Sequence, residues 1–364
     1  MKKSLALILS LLLIVGLLAA CGNQAAPAPA QSNDAPAQSN DAPAQSNDAP
    51  AQNPAAPTVT IKLAHAMMES TPQHQGALEF KRLVEEKTNG QVEIVIYPAG
   101  QMGTDPEVAE MLQTDAIDAA IIPTAKLSGF YAPLQVIDLP FLFPSKDVTY
   151  AVLDSQEFKD MLFKPMEALG FHGINFWESG FKQITANKPI HTPDDLKGVK
   201  MRVMESALLI AQYKAFGANP VTIDFSETYN SLQQGAADAE ENPLNSIVNM
   251  KFYEVQSDMT ISNHGYLAYA LMFSNGCWNS LPADIQTAIV EAANEAVVFE
   301  RQKNADMESG YVQTIRDSGT EVYELNADEM EAFAAVCRPV HEEFRDVIGS
   351  DVLDATYALI DAAK

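Results

Sequence analysis

The residue whose chemistry stands out first is Arg202, in the segment Lys200-Met201-Arg202-Val203. It ends a short stretch of strand character, Val199 to Val203, and open α/β sheets hold their ligands at strand ends. A guanidinium offers a planar fork that meets a carboxylate with two charge-assisted hydrogen bonds, and its charge does not titrate away. That residue type in that place points to recognition of an organic anion; the plainer alternative is a surface ion pair. Reaction chemistry has no comparable foothold. The chain contains no Gly-x-Ser-x-Gly, no His-Glu-x-x-His, no phosphate loop and no Cys-x-x-Cys. Its six histidines are scattered, and His65 and His74 stand too far apart for one helical metal face. No cofactor or metal is expected.

The elements that must position such a site follow a repeated grammar. Thr58 to Ala64 alternates β-branched and polar residues as a strand does, and Gln73 to Lys87 places Ala77, Phe80, Leu83 and Val84 at helical spacing. Thr88-Asn89-Gly90 closes that helix. Gln91 to Tyr97 reads as a strand, Asp105 to Gln113 as a helix and Ile117 to Ile122 as a buried strand. This alternation predicts a parallel or mixed sheet covered by helices. It restarts downstream, with strands at Gly173 to Trp177 and Phe181 to Ala186, a short turn of helix capped by Thr192, and a strand at Val199 to Val203. Helix Ser206 to Phe216, strand Asn219 to Ile223, helix Glu227 to Gln234 and a strand near Ala237 to Glu240 complete that second unit. Ala283 to about Arg316 is one long helical pattern entered through Pro282, and a last helix starts at Asp351. A helix that long is expected to pack across two lobes.

The ends and the composition bound the setting. Lys2 and Lys3 precede an uncharged apolar run from Leu5 to Leu18, then Ala19, Ala20 and Cys21. This reads as a signal peptide over residues 1–20. Leu18-Ala19-Ala20-Cys21 resembles a bacterial lipobox, so Cys21 is expected to carry a thioether-linked diacylglycerol, and two acyl chains hold a protein stably on a membrane. Residues 21–57 are Ala, Pro, Gln, Ser, Asn and Asp for the most part, with Gln-Ser-Asn-Asp-Ala-Pro-Ala beginning at Gln31 and again at Gln38. With so little to bury, this stretch is expected to be an extended tether. About 300 residues remain, a size that suits two lobes. The formal charge of −25, two units more negative once Lys2 and Lys3 leave, makes nucleic acid an improbable partner. Cys277 and Cys337 either pair or stay as buried thiols.

Five segments carry a resemblance. They are Tyr97-Pro98-Ala99-Gly100-Gln101-Met102-Gly103, Asp138-Leu139-Pro140-Phe141-Leu142-Phe143, Asp194 to Val203, Glu227 to Asp238, and Glu241-Asn242-Pro243. In this order, behind a signal and lipobox, they resemble the solute receptors of tripartite ATP-independent periplasmic (TRAP) transporters, of the DctP type, from Val59 to the C-terminal helix.

That resemblance implies an α/β fold of two lobes, like a periplasmic binding protein, with crossing hinge strands and a long lobe-spanning helix. One lobe would comprise residues 58–179 and 267–305, the other 180–266 and 306–364. It implies a monomer that closes on a small organic acid and delivers it to the membrane subunits of a TRAP permease. Arg202 would be the carboxylate clamp, and Asn242 would share the carboxylate through its uncharged amide. The alternative for Asn242 is a turn-forming residue before proline. Lys182 occupies a place where many relatives have arginine, keeping the charge but losing the fork. Tyr229, Phe176, Trp177 and His264 fall in segments that border the cleft in relatives, and the alternative for each is the core. His65, Met102 and Thr104 to Asp105 would form the opposing wall. The lobes and anchor alone also suit a binding protein of an ATP-driven importer or a receptor reporting to a sensor kinase. An extracytoplasmic hydrolase would also have a signal peptide and an α/β fold, without any catalytic motif here to support it.

Overall fold

The structure is a computed structural model that describes residues 58–364; the signal peptide, Cys21 and the tether lie outside the described residues. Ten strands run in the order β1 Val59–His65, β2 Val92–Tyr97, β3 Ala119–Pro123, β4 Phe171–Ala186, β5 Lys200–Val203, β6 Asn219–Thr222, β7 Ala239–Pro243, β8 Asp258–Ile261, β9 Tyr266–Ser274 and β10 Glu321–Glu324. They form one continuous path, β2-β1-β3-β9-β4-β7-β5-β6, with β8 and β10 attached beside β4. The two ends of that path are built alike. β1 lies parallel between β2 and β3, and β5 lies parallel between β6 and β7. Each trio is a βαβαβ unit, which is why the hydrophobic grammar restarts midway along the chain.

Two long antiparallel strands join the halves. β9 pairs with β3 on one side and β4 on the other, and β4 continues into pairing with β7. The two strands expected at Gly173 to Trp177 and Phe181 to Ala186 are therefore one, since the chain passes Gly180 without breaking. Gly180 has φ +113° and the β4–β9 register shifts between Glu178 and Gly180. A bulge there lets one strand change sheets.

Helix Ala283–Asp317 spans both halves, as its length implied. Ile285, Ile289, Ala293 and Val297 join the main core that includes β1–β3, whereas Tyr311 and Ile315 join a separate cluster with Leu244, Ile247 and Phe252. It packs closely on helix Pro72–Lys87. A Cβ at Gly76 would stand 2.6 Å from the Trp177 ring and 2.8 Å from Glu300 Cβ, so only glycine permits that approach. The C-terminal helices run back along the molecule. Ala327–Glu343 lies on helix Ala207–Ala215, and Ser350–Ala363 lies on helix Lys146–Asp154, within the segment expected to form the first lobe. Cys277 and Cys337 are both free thiols. No helix among the described residues is long and apolar enough to cross a membrane.

Candidate functional site

The C-terminal ends of all six parallel strands contribute to one cavity. Ala66 and Met67 follow β1, Asp105 opens the helix after β2, and Pro123 and Lys126 end and follow β3. From the other half, Met204 follows β5, Phe225 follows β6, and Asn242 lies near the end of β7. Leu267 and Tyr269 of the crossing strand complete the lining. β3 and β7 end alike, each in a proline that caps a short helix, Thr124–Leu127 and Leu244–Asn249. The sheet ends thus converge as expected for a ligand site at a topological switch point.

Arg202, the third residue of β5, is fully buried. Its Nε–H donates to the Ile223 carbonyl at 3.0 Å, and neither terminal nitrogen has a hydrogen-bond partner among the described residues. Glu240 stands opposite it in register, but that carboxylate is engaged elsewhere, accepting from Thr185 at 2.7 Å and from the Asn242 amide at 2.6 Å. Burial pushes the Glu240 carboxyl up to about 7, so it is an incomplete counter-charge at neutral pH. Burial also lowers the Arg202 pKa, against the pull of Glu240, Glu241, Asp224 and Asp105. An uncompensated buried charge costs roughly 3–5 kcal/mol. The arrangement holds a fork of donors ready for an anion.

The cavity lining includes a residue that sequence reasoning did not single out. The Lys126 ammonium, with its side chain 3% exposed, is 3.5 Å from Asp105 and 3.1 Å from Asp224. Burial raises the Asp105 carboxyl even though Lys126 opposes the shift. Lys126 had a positional signal like that of Arg202, a cation close to a strand end, and its Pro-Thr-Ala-Lys context gave no other hint.

Lys182 and His264 belong to a polar network one layer away from this lining. Lys182 Nζ donates to Glu241 at 2.9 Å, while the other Glu241 oxygen is 2.8 Å from His264 Nε2 and accepts from the Tyr213 hydroxyl at 3.3 Å. Ser262 meets the remaining imidazole nitrogen at 2.7 Å. Burial opposes ionisation of Glu241, but Lys182 and His264 outweigh it and hold its carboxyl down to about 2. Phe176 and Trp177 are core: Phe176 stacks on Phe163, and the Trp177 indole donates to Asn175 at 2.9 Å. Tyr229 lies outside the lining and donates to Glu254 at 3.3 Å. Met102 packs against the core. Thr104 caps the Asp105 helix and lines an adjoining outer recess with Asp105 and Phe225. His65 is buried against His74, Nε2 to Nδ1 3.1 Å, and burial, then His74, lowers its pKa to about 3. A neutral imidazole there supplies no charge. Of the residues singled out, Asn242 and Asp105 line the cavity, while Arg202 is fully buried on β5 and does not itself line it.

The family described as bacterial extracellular solute-binding protein, family 7 (DctP), matches residues 63–346. The chain belongs to this family. The C4-dicarboxylate-binding periplasmic protein DctP of Rhodobacter capsulatus is 37% identical over 302 residues, 82% of this chain and 90% of that protein. Among solved structures, a TRAP periplasmic solute-binding protein from Shewanella oneidensis with bound succinate is 37% identical, with TM-score 0.79, covering 84% of this chain and all of the other. The sugar acid binding protein DctPAm of Advenella mimigardefordensis, in complex with galactonate, superposes with TM-score 0.81 at 27% identity, covering 85% of this chain and 99% of the other. The mixed sheet, crossing strands and long helix of this DctP-family chain are those of the two-lobed TRAP receptors.

Proposed function

We propose that this chain is the extracytoplasmic receptor of a TRAP transporter, binding a small organic acid between its lobes and delivering it to the permease without chemical change. The observation that carries the reading is the Arg202 fork, fully buried on β5 with both terminal nitrogens unpartnered among the described residues. A carboxylate would accept from those two nitrogens, and the Asn242 amide, already donating to Glu240, would complete its seat with its second N–H. The relatives bind carboxylates by their names, succinate and galactonate among them. Lys182 would hold Glu241 in place behind the seat.

The lobes would be residues 58–179 with 267–305, and 180–266 with the chain from 306 onward. The last helix would return to the first lobe. Opening would bend β4 and β9 near Gly180 and flex the long helix, since the solute reaches its seat only from an open state. The lipobox sequence supports anchoring through Cys21, with the low-complexity stretch as a spacer. Cys21→Ala would then release the folded protein from membranes; retention after a salt wash would contradict the anchor.

The receptor reading is tested by a thermal-shift screen of the purified protein. Short dicarboxylates, hydroxy acids, keto acids and sugar acids are compared with their amides. Stabilisation by one or more acids and by none of the amides is the expected pattern. Equal stabilisation by an acid and its amide would contradict it.

A further inference from the structure

The buried charges of the second half pair off unevenly. Lys182 Nζ donates to Glu241 at 2.9 Å, and Lys126 stands between Asp105 and Asp224. That leaves Arg202 and Glu240 to answer one another. They are register partners on the parallel strands β5 and β7, and Thr185 of β4 is the register partner of Glu240 on its other side. Residues paired in register point to one face of a sheet, about 5 Å from strand to strand, so Thr185, Glu240 and Arg202 form a row across three strands. Of the carboxylates around Arg202, Glu240 pulls on it most.

The two groups nevertheless share no hydrogen bond. Both Glu240 oxygens accept from neutral donors, the Thr185 hydroxyl at 2.7 Å and the Asn242 amide at 2.6 Å, and the Arg202 terminal nitrogens have no partner among the described residues. Those donors and the Arg202 charge favour the ionised form of Glu240; its complete burial and the neighbouring Glu241 oppose it. The Tyr213 hydroxyl also faces this carboxylate and stays neutral, since burial holds its pKa well above the ordinary 10. A solute carboxylate on the guanidinium uses the positive charge that offsets Glu240 and adds a second negative charge beside it. Two carboxylates sharing one cation in a poorly hydrated site do not both stay ionised. The proton suits Glu240 better, because the Thr185 hydroxyl accepts as well as donates, whereas the solute carboxylate would meet only N–H donors.

We propose that Glu240 is a proton-binding site coupled to the solute: it takes one proton from solvent as the solute's carboxylate engages Arg202, so that an ionised acid and a proton are bound together. This rests on the reading of Arg202 as the carboxylate seat.

The test is calorimetry on the purified protein with succinate, malate, 2-oxoglutarate and galactonate, acids that are fully ionised above pH 7. At pH 8, binding enthalpies compared between phosphate and Tris buffers, which differ in ionisation enthalpy, count the protons taken up. About half a proton or more per acid is expected. Affinity should fall about fivefold or more from pH 7 to pH 9, because Glu240 titrates at about 7 in the free protein and higher in the complex. Glu240→Gln keeps an oxygen for the Asn242 amide and mimics the protonated acid. It should bind without proton uptake and hold its affinity within about twofold over the same range. No uptake by the parent, with affinity level from pH 7 to pH 9, overturns the proposal. Uptake that persists in Glu240→Gln and disappears in Asp138→Asn moves the proton to Asp138, a second buried carboxyl pushed up to about 7, and overturns the assignment. Arg202→Ala separates the two levels. If it abolishes binding while the parent takes up no proton, the seat stands and only the proton site falls; if it binds each acid as the parent does, both fall. Binding of none of the four acids by the parent contradicts the receptor reading and removes the proposal with it.

Discussion

Replacing Lys182 by methionine should damage the fold far more than the recognition of ligand. Lys182 and Glu241 are 2.9 Å apart with side chains 2% and 1% exposed. Removing the ammonium leaves a buried carboxylate with His264 and Tyr213 as its remaining partners. Breaking one side of such a pair costs about 3–5 kcal/mol. The double replacement Lys182→Met with Glu241→Gln leaves no orphan charge and should recover at least about half of that loss. The pH dependence has a definite sign. Glu241 is held down to about 2 in the folded chain against an ordinary value of 4.5. Its contribution is therefore present above about pH 4.5 and is lost as pH falls through the interval towards 2. Lys182→Met removes a main cause of that depression, so the gap between parent and variant should narrow as pH drops below 4.5. Urea unfolding at pH 7 and pH 4, with calorimetry on the folded variant, measures both effects. A variant within about 1 kcal/mol of the parent that has lost tenfold or more in affinity would refute this account and make Lys182 a direct ligand contact.

Two further outcomes follow from the hinge. Glu300 is fully buried beside Glu178, and burial first, then Glu178, pushes its carboxyl well above the ordinary 4.5. Such a group stabilises fully below about pH 4.5, and that contribution is lost as pH rises through its folded value. Glu300→Gln should thus be more stable than the parent by about 1 kcal/mol or more at pH 8 and closer to it at pH 4.5; thermal unfolding across that range reading the variant as the weaker at pH 8 would contradict this. Saturating ligand should also reduce the radius of gyration as the population shifts to the closed form, and superimposable scattering curves with and without ligand would remove hinge closure.

Much of the fold is legible because its signals are local. Alternation marks β1, a short apolar run marks the fully buried β3, and helical spacing marks Pro72–Lys87 and Ala283–Asp317, each within one stretch of chain. What stays hidden depends on partners far away in sequence. The glycine at 180 looks like a break until β9 pairs across it, and of β8 and β10, four residues each, β8 is held by pairing with β4 and β10 by pairing with β8. The site divides in the same way. Arg202 is visible from its type and its place at a strand end. Whether Lys182 and His264 meet solute or protein is set by Glu241 on another strand. Phe176 and Trp177 become core through helices that approach them from elsewhere. Lys126 takes on meaning only when Asp224 arrives from the opposite half.

The carboxylate seat at Arg202 is tested most directly by calorimetry with the acid that the thermal-shift screen identifies, on the parent, Arg202→Ala and Arg202→Lys. Truncating one partner of a buried, hydrogen-bonded charge pair costs about 2–5 kcal/mol, or roughly 30-fold to several thousand-fold in Kd. Lysine should recover only part of this, because it restores the charge without the fork. Arg202→Ala should show that loss while remaining folded. Binding by Arg202→Ala within about threefold of the parent would contradict the account and require the carboxylate to sit elsewhere.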